Sequence, residues 1–363
     1  MKKVIALLSV VLFSFGVAKA GELSITGSAK ASYSITSSDG TAAKAEQNKG
    51  LGISNEFTLG ASGELDNGYT WSYAIDIDSV ESSATNDDAK LTLTIPDLGT
   101  IGMFLGEGGL GRDNAASQSV IARPSDTSYG EAMTDTFDID GFDNIQYHTP
   151  AGLLPFGTTF KVGYAPSARA TNGGDFKATG LSNDRVATAD TASAGGITLD
   201  GGGSSAAQYQ LVISEVPYVD GLTIGADYME FNGVIDASEQ APESGAYFAT
   251  YAVGPAVIGY SKSFAALAMN SISTEQVEQV ENTKYSIGIN VNENLSVSYE
   301  QEESKPETQE VQTTQYTMES SGIQAAYTMG GMTLGVAMND HENASYTENK
   351  DVKDTVFTVE MAF

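Results

Sequence analysis

Apolar and polar residues alternate along almost the whole chain with period two, the period of a strand whose successive side chains point to opposite faces. Leu23, Ile25, Ala29, Ala31, Tyr33 and Ile35 share one parity, and Ser24, Thr26, Ser28, Lys30, Ser32 and Ser34 the other. Leu51, Ile53, Phe57, Leu59 and Ala61 repeat the pattern against Ser54, Glu56, Thr58 and Ser62. The tight-turn signal Asp66-Asn67-Gly68 then leads into Tyr69, Trp71, Tyr73, Ile75 and Ile77, with Asp76 and Asp78 on the opposite face. Similar paired runs flank short turns at 96–99, 149–150, 217–221, 254–255, 292–294 and 330–331. The outward parity of the pair around Gly254-Pro255 is ambiguous. The chain closes on Phe357, Val359, Met361 and Phe363, all of one parity.

These runs predict sixteen strands. Short turns alternate with long polar connections, placed at 38–49, 80–87, 107–142, 166–205, 231–244, 265–281, 303–318 and 340–352. No shift in composition marks a second domain. A soluble sandwich also alternates, with its apolar face inward. Three features favour a membrane barrel instead. The second face is small and polar, as in a wet lumen. The alternation of short turn and long loop is too regular for a Greek key. Tyrosines and phenylalanines recur near strand ends, as in an interfacial girdle. A bilayer accepts strands only as a closed barrel, where every backbone N–H and C=O is paired. The predicted fold is all-β, a transmembrane antiparallel barrel of sixteen strands; a secreted sandwich or propeller is the alternative.

The first twenty residues read differently. Lys2 and Lys3 open the chain, Val4 to Val17 is almost wholly apolar, and Ala18-Lys19-Ala20 is a small-x-small site. This is the layout of a secretory signal peptide. The apolar run has 14 residues, short of the roughly 20 that a spanning helix needs. The expected division is a signal peptide at 1–20 and a barrel at 21–363.

Composition sharpens this reading. There are 47 Asp+Glu against 18 Lys+Arg, a formal charge of −29, and no cysteine. Removing 1–20 takes away three lysines and no acid, leaving 15 bases and a charge of −32. Such a polyanion offers no phosphate-neutralising surface, so no nucleic-acid partner is expected. Thiolate metal sites and disulfide scaffolds are absent as well.

Motifs for catalysis are missing, and no enzyme is expected. Gly106, Gly108 and Gly111 match GxGxxG after a strand, but a dinucleotide site also needs a following helix in a parallel βαβ unit. Here the glycines are read as letting the chain fold sharply inward. His148 and His341 lie far apart, at a strand end and in an outer loop, and are read as solvated. Asp135, Asp138 and Asp140 suggest a calcium loop, although Thr136 stands where the first ligand would be and Tyr147 where the last should be. An acidic wall facing water is the other reading, and no firm metal or cofactor follows.

Three passages resemble the Gram-negative general diffusion porins of the sixteen-stranded class. Asn144-Ile145-Gln146-Tyr147-His148-Thr149-Pro150 resembles the strand that follows their constriction loop. Residues 325–334 resemble a late hairpin. The terminal 357–363 strand resembles the outer-membrane assembly signal, with Phe363 as its last residue. The "PEFGG" of enterobacterial porins is missing, which points to a more distant, alphaproteobacterial-like branch.

The resemblance implies an outer-membrane location, a lipid and lipopolysaccharide surround, insertion by the barrel-assembly machinery and a homotrimer. It also implies that the third loop, 107–142, folds into the lumen and constricts it. That loop offers Glu107, Asp113, Asp126, Glu131, Asp135, Asp138 and Asp140 as pore acids. Inward parity adds Lys30, Glu56, Asp76, Asp78, Lys90 and Glu360 on the wall. Wall bases are few, so cation preference is expected of a channel for small hydrophilic solutes and ions. A substrate-specific channel and a non-conducting surface-recognition barrel remain as alternatives.

Overall fold

The computed structural model describes residues 21–39, 48–80, 83–127, 133–166, 205–232, 240–266, 277–308 and 316–363. The expected signal peptide, Glu131 and nearly all of the connection at 166–205 lie outside the described residues. Eight strands occupy the first part of the chain: β1 (Glu22–Asp39), β2 (Asn48–Glu64), β3 (Thr70–Val80), β4 (Ser83–Ile95), β5 (Gly99–Leu105), β6 (Asn144–His148), β7 (Thr158–Ala165) and β8 (Ser205–Ile213). Eight more follow: β9 (Leu222–Asn232), β10 (Glu243–Val253), β11 (Ala256–Ala266), β12 (Val277–Asn290), β13 (Leu295–Thr308), β14 (Met318–Met329), β15 (Met332–Glu342) and β16 (Asp351–Ala362). Each pairs antiparallel with its sequence neighbours, and β16 pairs with β1 to close the barrel. Closure leaves no unpaired sheet edge, the condition for strands in lipid.

The two parities separate as expected. On β14, Ile323 is 64% exposed while the next residue, Gln324, is 1% exposed. Leu51, Ile53, Tyr209, Leu211, Tyr285, Tyr299, Met338 and Phe357 are likewise exposed. The ambiguous hairpin resolves the same way, with Tyr247, Tyr251, Val253 and Ile258 exposed. An exposed apolar band running around the barrel is too large for a water-soluble surface and fits a lipid-facing belt. Neighbouring aromatics brace it: Tyr247, Tyr260 and Tyr285 stand in a row on β10–β12, with ring centroids 6.2 and 5.2 Å apart. No described helix is long and apolar enough to cross a membrane.

Most short turns fall where the sequence places them, but the one expected at 149–150 is a longer link, 149–157. At Gly99 the backbone has φ +103°, and a Cβ there would lie 2.2 Å from the carbonyl oxygen of His148. Only glycine suits that position. Several strands run further into the expected long connections, although the third connection, 106–143, is slightly longer than expected. β3 reaches Val80 and β4 begins at Ser83 where 80–87 was expected as loop; β11 reaches Ala266, β12 begins at Val277, β13 reaches Thr308, and β15 and β16 leave 343–350 between them. The strands run on past the apolar belt as polar strands, as β13 does through Glu300–Thr308. Ladder pairing needs backbone groups and not apolar side chains, so the alternation of hydrophobicity stops before the strand does.

Candidate functional site

The third long connection, here L3 (106–143), leaves β5 at Leu105. Gly106 and Gly108 take positive φ, 64° and 88°. A Cβ on Gly108 would stand 2.6 Å from the Gln146 amide nitrogen. That tight turn sets the chain against Gln146 of β6. Lys90 of β4 pairs with Glu107 at the start of the turn. Asp138 then closes L3 on itself: its two carboxylate oxygens accept the N–H groups of Leu110 and Gly111 at 2.8 and 2.7 Å. Leu110, Ile139 and Phe142 pack with Ala165, Ala206, Met229 and Phe231 in an apolar cluster against β7–β9.

An irregular buried segment must find partners for its own peptide groups. Here the inward side chains of the wall supply them. Gln208 of β8 accepts from the Ile139 N–H at 2.8 Å, and Gln210 donates to the Leu110 carbonyl at 2.9 Å. Asp227 of β9 accepts from the Arg112 N–H at 2.7 Å. Ser261 of β11 and Ser286 of β12 donate to the carbonyls of Asp113 and Ala116. Glu300 of β13 accepts from the hydroxyls of Ser117 and Ser119. Gln324 of β14 accepts from the Ile121 N–H at 2.9 Å. The segment thus touches one face of β8, β9 and β11–β14, the face opposite the exposed apolar one.

A short helical turn, α1 (Pro124–Thr127), carries the densest charges. Arg123, just before it, forks onto Asp126 at 2.9 Å and onto Asp135 at 2.8 Å, and reaches Glu302 of β13 at 3.4 Å. Lys284 of β12 lies 3.1 Å from Asp135, 3.9 Å from Asp113 and 4.0 Å from Glu302. Lys284 and Glu302 are 2% and 0% exposed, so these charges are taken fully from water. Burial alone would raise Asp135, but Lys284 and Arg123 outweigh it and hold the carboxyl well below its usual range. Burial dominates at Asp113, whose carboxyl is pushed up to about 6 despite Lys284. Burial disfavours the charge on Arg123 too, yet its three acidic neighbours prevail and keep it firmly protonated.

The expected site residues thus divide. Asp113, Asp135 and Asp138 turn their carboxylates to the wall or to L3 itself. Asp126 is the most open of the described loop acids, with a side chain 45% exposed. Asp140 is half-buried beside Gly109, and Glu131 lies outside the described residues. Among the described residues no group of three or more acids and histidines is placed to hold a metal ion.

On the wall, Lys30 stands directly across from Glu360, Glu56 across from Asp78, and Asp76 across from Asp88. Lys284, Asp227, Glu300, Glu302 and Lys161 were not singled out in the sequence. Their parity was available, since the exposed residues Tyr285, Tyr228 and Tyr299 imply inward neighbours.

The histidines need correction. His341 lies within β15, not in an outer loop, and is 0% exposed, with Nδ1 2.8 Å from the Ser320 hydroxyl. His148 is half-buried, with Nε2 2.7 Å from the Gln146 side-chain oxygen. His341 is therefore sealed from water, whereas His148, at the end of β6 as expected, is only half-buried.

No protein-family model matches the chain, and no curated protein matches it by sequence. Solved structures do. A triple mutant of the Rh. blastica porin shares 12% identity at a TM-score of 0.53, covering 94% of this chain and 100% of that one. Salmonella typhi OmpF in complex with daunomycin shares 12% identity at a TM-score of 0.61, covering 94% of this chain and 98% of that one. With the register and closure described above, the chain has the barrel fold of the bacterial porins, built here from sixteen antiparallel strands.

Proposed function

We propose that the protein is an outer-membrane channel for passive diffusion of small hydrophilic solutes and ions, narrowed by L3 and preferring cations. One observation carries this reading: the inner face is covered on one side and open on the other. On β12–β14 the inward residues Asn282, Lys284, Glu300, Glu302, Ser320 and Gln324 are each at most 2% exposed. On β1 and β2 the inward residues Ser24, Thr26, Ser54 and Glu56 are exposed, although Leu51 and Ile53 on the outer face are exposed too. Strands accessible on both faces of a closed barrel imply water on the inside. L3 strapped to the far wall leaves a passage along β1–β4.

Charge supports the cation preference. The open side carries Glu56, Asp76, Asp88 and Glu360 against Lys30 and Lys90, and Lys90 is paired with Glu107. Low-dielectric walls strengthen such fields in a narrow throat. The acids expected on the loop therefore contribute less to the proposed selectivity than those on the wall.

Single-channel recording in planar bilayers tests the reading, with the reversal potential in a KCl gradient giving selectivity. Stable conductance with a cation-selective reversal potential is expected. A folded barrel without conductance would leave the non-conducting alternative standing.

A further inference from the structure

Cations are scarce in this chain, and the inner face uses several in ion pairs: Lys90 with Glu107, Arg123 with Asp126 and Asp135, and Lys284 with Asp135. Arg112 and Lys161 differ. Among the described residues neither side chain makes an ion pair or hydrogen bond; Arg112 bonds only through its backbone, its N–H to Asp227 and its carbonyl from the Ala115 N–H. Both side chains are half-buried, and the Arg112 Nε is wholly shielded from water with no partner. A guanidinium offers five donors in a fixed fork, and leaving it desolvated and unpaired is costly.

The fold brings the two together. Gly163 of β7 is covered by L3, for a Cβ there would meet Leu110 at 3.2 Å and Ile139 at 3.3 Å. Lys161 is the next inward position toward the short turn, so it emerges at the edge of L3. Gln210, directly opposite Lys161, holds the Leu110 carbonyl, and Arg112 follows two residues later. On the other side His148 of β6 stands opposite Lys161. Arg112 and Lys161 are near enough for their charges to repel. The nearest carboxylates, Asp138 and Asp227, do not fork onto the guanidinium. Asp138 accepts from Leu110 and Gly111, and Asp227 from the Arg112 N–H and from Gln208 at 3.3 Å.

We propose that Arg112 and Lys161, with His148 beside them, form an oxyanion site at the edge of L3 that takes the phosphate or carboxylate group of a small solute. Arg112 supplies the planar fork such groups match, and Lys161 a compact second charge. In a pore where wall acids outnumber wall bases, a solute with both signs of charge would meet wall carboxylates with its cationic end and this site with its anionic end. Entry of the solute rests on the channel reading above; the binding does not.

The test therefore reads binding without a bilayer. Inorganic phosphate is titrated onto the purified full-length barrel in detergent, followed by phosphorus NMR linewidth, and acetate is titrated by calorimetry. Saturable binding of at least one probe is expected, weakened at least tenfold in Arg112→Gln and Lys161→Gln and only partly in Arg112→Lys. Lys353→Gln, on the outer face beside Asp340, should leave binding unchanged. Heat-modifiable electrophoretic mobility verifies that each variant is a closed barrel. No saturable binding of either probe, or binding indifferent to both neutral substitutions, overturns the proposal. A barrel that binds without conducting keeps the site and sinks the channel; one that conducts without binding does the reverse.

Discussion

Lys284 of β12 meets Asp135 of L3 at 3.1 Å, although 149 positions separate them in the chain. This contact and the Arg123 fork place two buried cations among four acids, so the strap that holds L3 to the wall is itself acidic in sum.

Removing Lys284 should expose that imbalance. Leaving one side of a buried pair uncompensated costs about 3–5 kcal/mol. Lys284→Met is expected to lower the unfolding midpoint in urea, to raise open-channel current noise as L3 loosens, and to shift the reversal potential toward stronger cation preference. Unchanged noise together with unchanged stability would show that Lys284 does not hold the segment.

Asp113 predicts a pH dependence. Its carboxyl titrates at about 6 in the folded barrel against an ordinary value of 3.8, because burial disfavours the charge. Between these values the folded state holds a proton the unfolded chain has lost. The stability from this group is therefore full below about pH 4 and is lost as pH rises through about 6. Asp113→Asn should raise the melting temperature at pH 7 more than at pH 4. Cation preference should also fall as the wild type is acidified through about pH 6, and less so in the variant.

Two other acids should separate architecture from selectivity. Asp138→Asn removes the acceptor for two backbone N–H groups and is expected to cost about 1–3 kcal/mol, with little change in reversal potential. Glu56→Gln and Asp76→Asn on the open wall should do the opposite, weakening cation preference at nearly constant stability. Bi-ionic recordings beside urea titrations would show whether the effects divide this way.

The belt makes a prediction of its own. Ile323→Lys places a charge on the lipid face, where such substitutions cost roughly 2–4 kcal/mol near the bilayer midplane. Folding into phospholipid vesicles, followed by tryptophan fluorescence of Trp71, should report a loss in that range. An equal loss from Gln324→Lys, on the inner face, would contradict the assignment of the two faces.

How much of this was legible beforehand depended on range. Strand number and facing follow from neighbours two residues apart, so Leu51, Ile53 and Ile323 were placed from the sequence. Strand ends above the belt were not, since β13 continues through Glu300–Thr308 where both faces are polar. The partners of L3 were the least legible. Gln324 and Ile121 are 203 positions apart, and nothing in the local pattern at either one encodes the other. Parity did mark Lys284 and Asp227 as inward. What it lacked was the path of L3, which decides that Asp113 and Asp135 meet Lys284 and not the passage.

The seam between β1 and β16 has a consequence for the order of assembly. Gly27 and Phe363 exchange both backbone hydrogen bonds at 2.9 Å, so β1 is completed only by a residue 336 positions further along the chain. Until then the growing sheet has two raw edges, each a template for pairing with another molecule. Every intermediate short of sealing is an open ribbon, and the contact most distant in sequence is the one that closes it. A chain lacking β16 should not form a narrower fifteen-stranded pore; it should be held by a chaperone or aggregate.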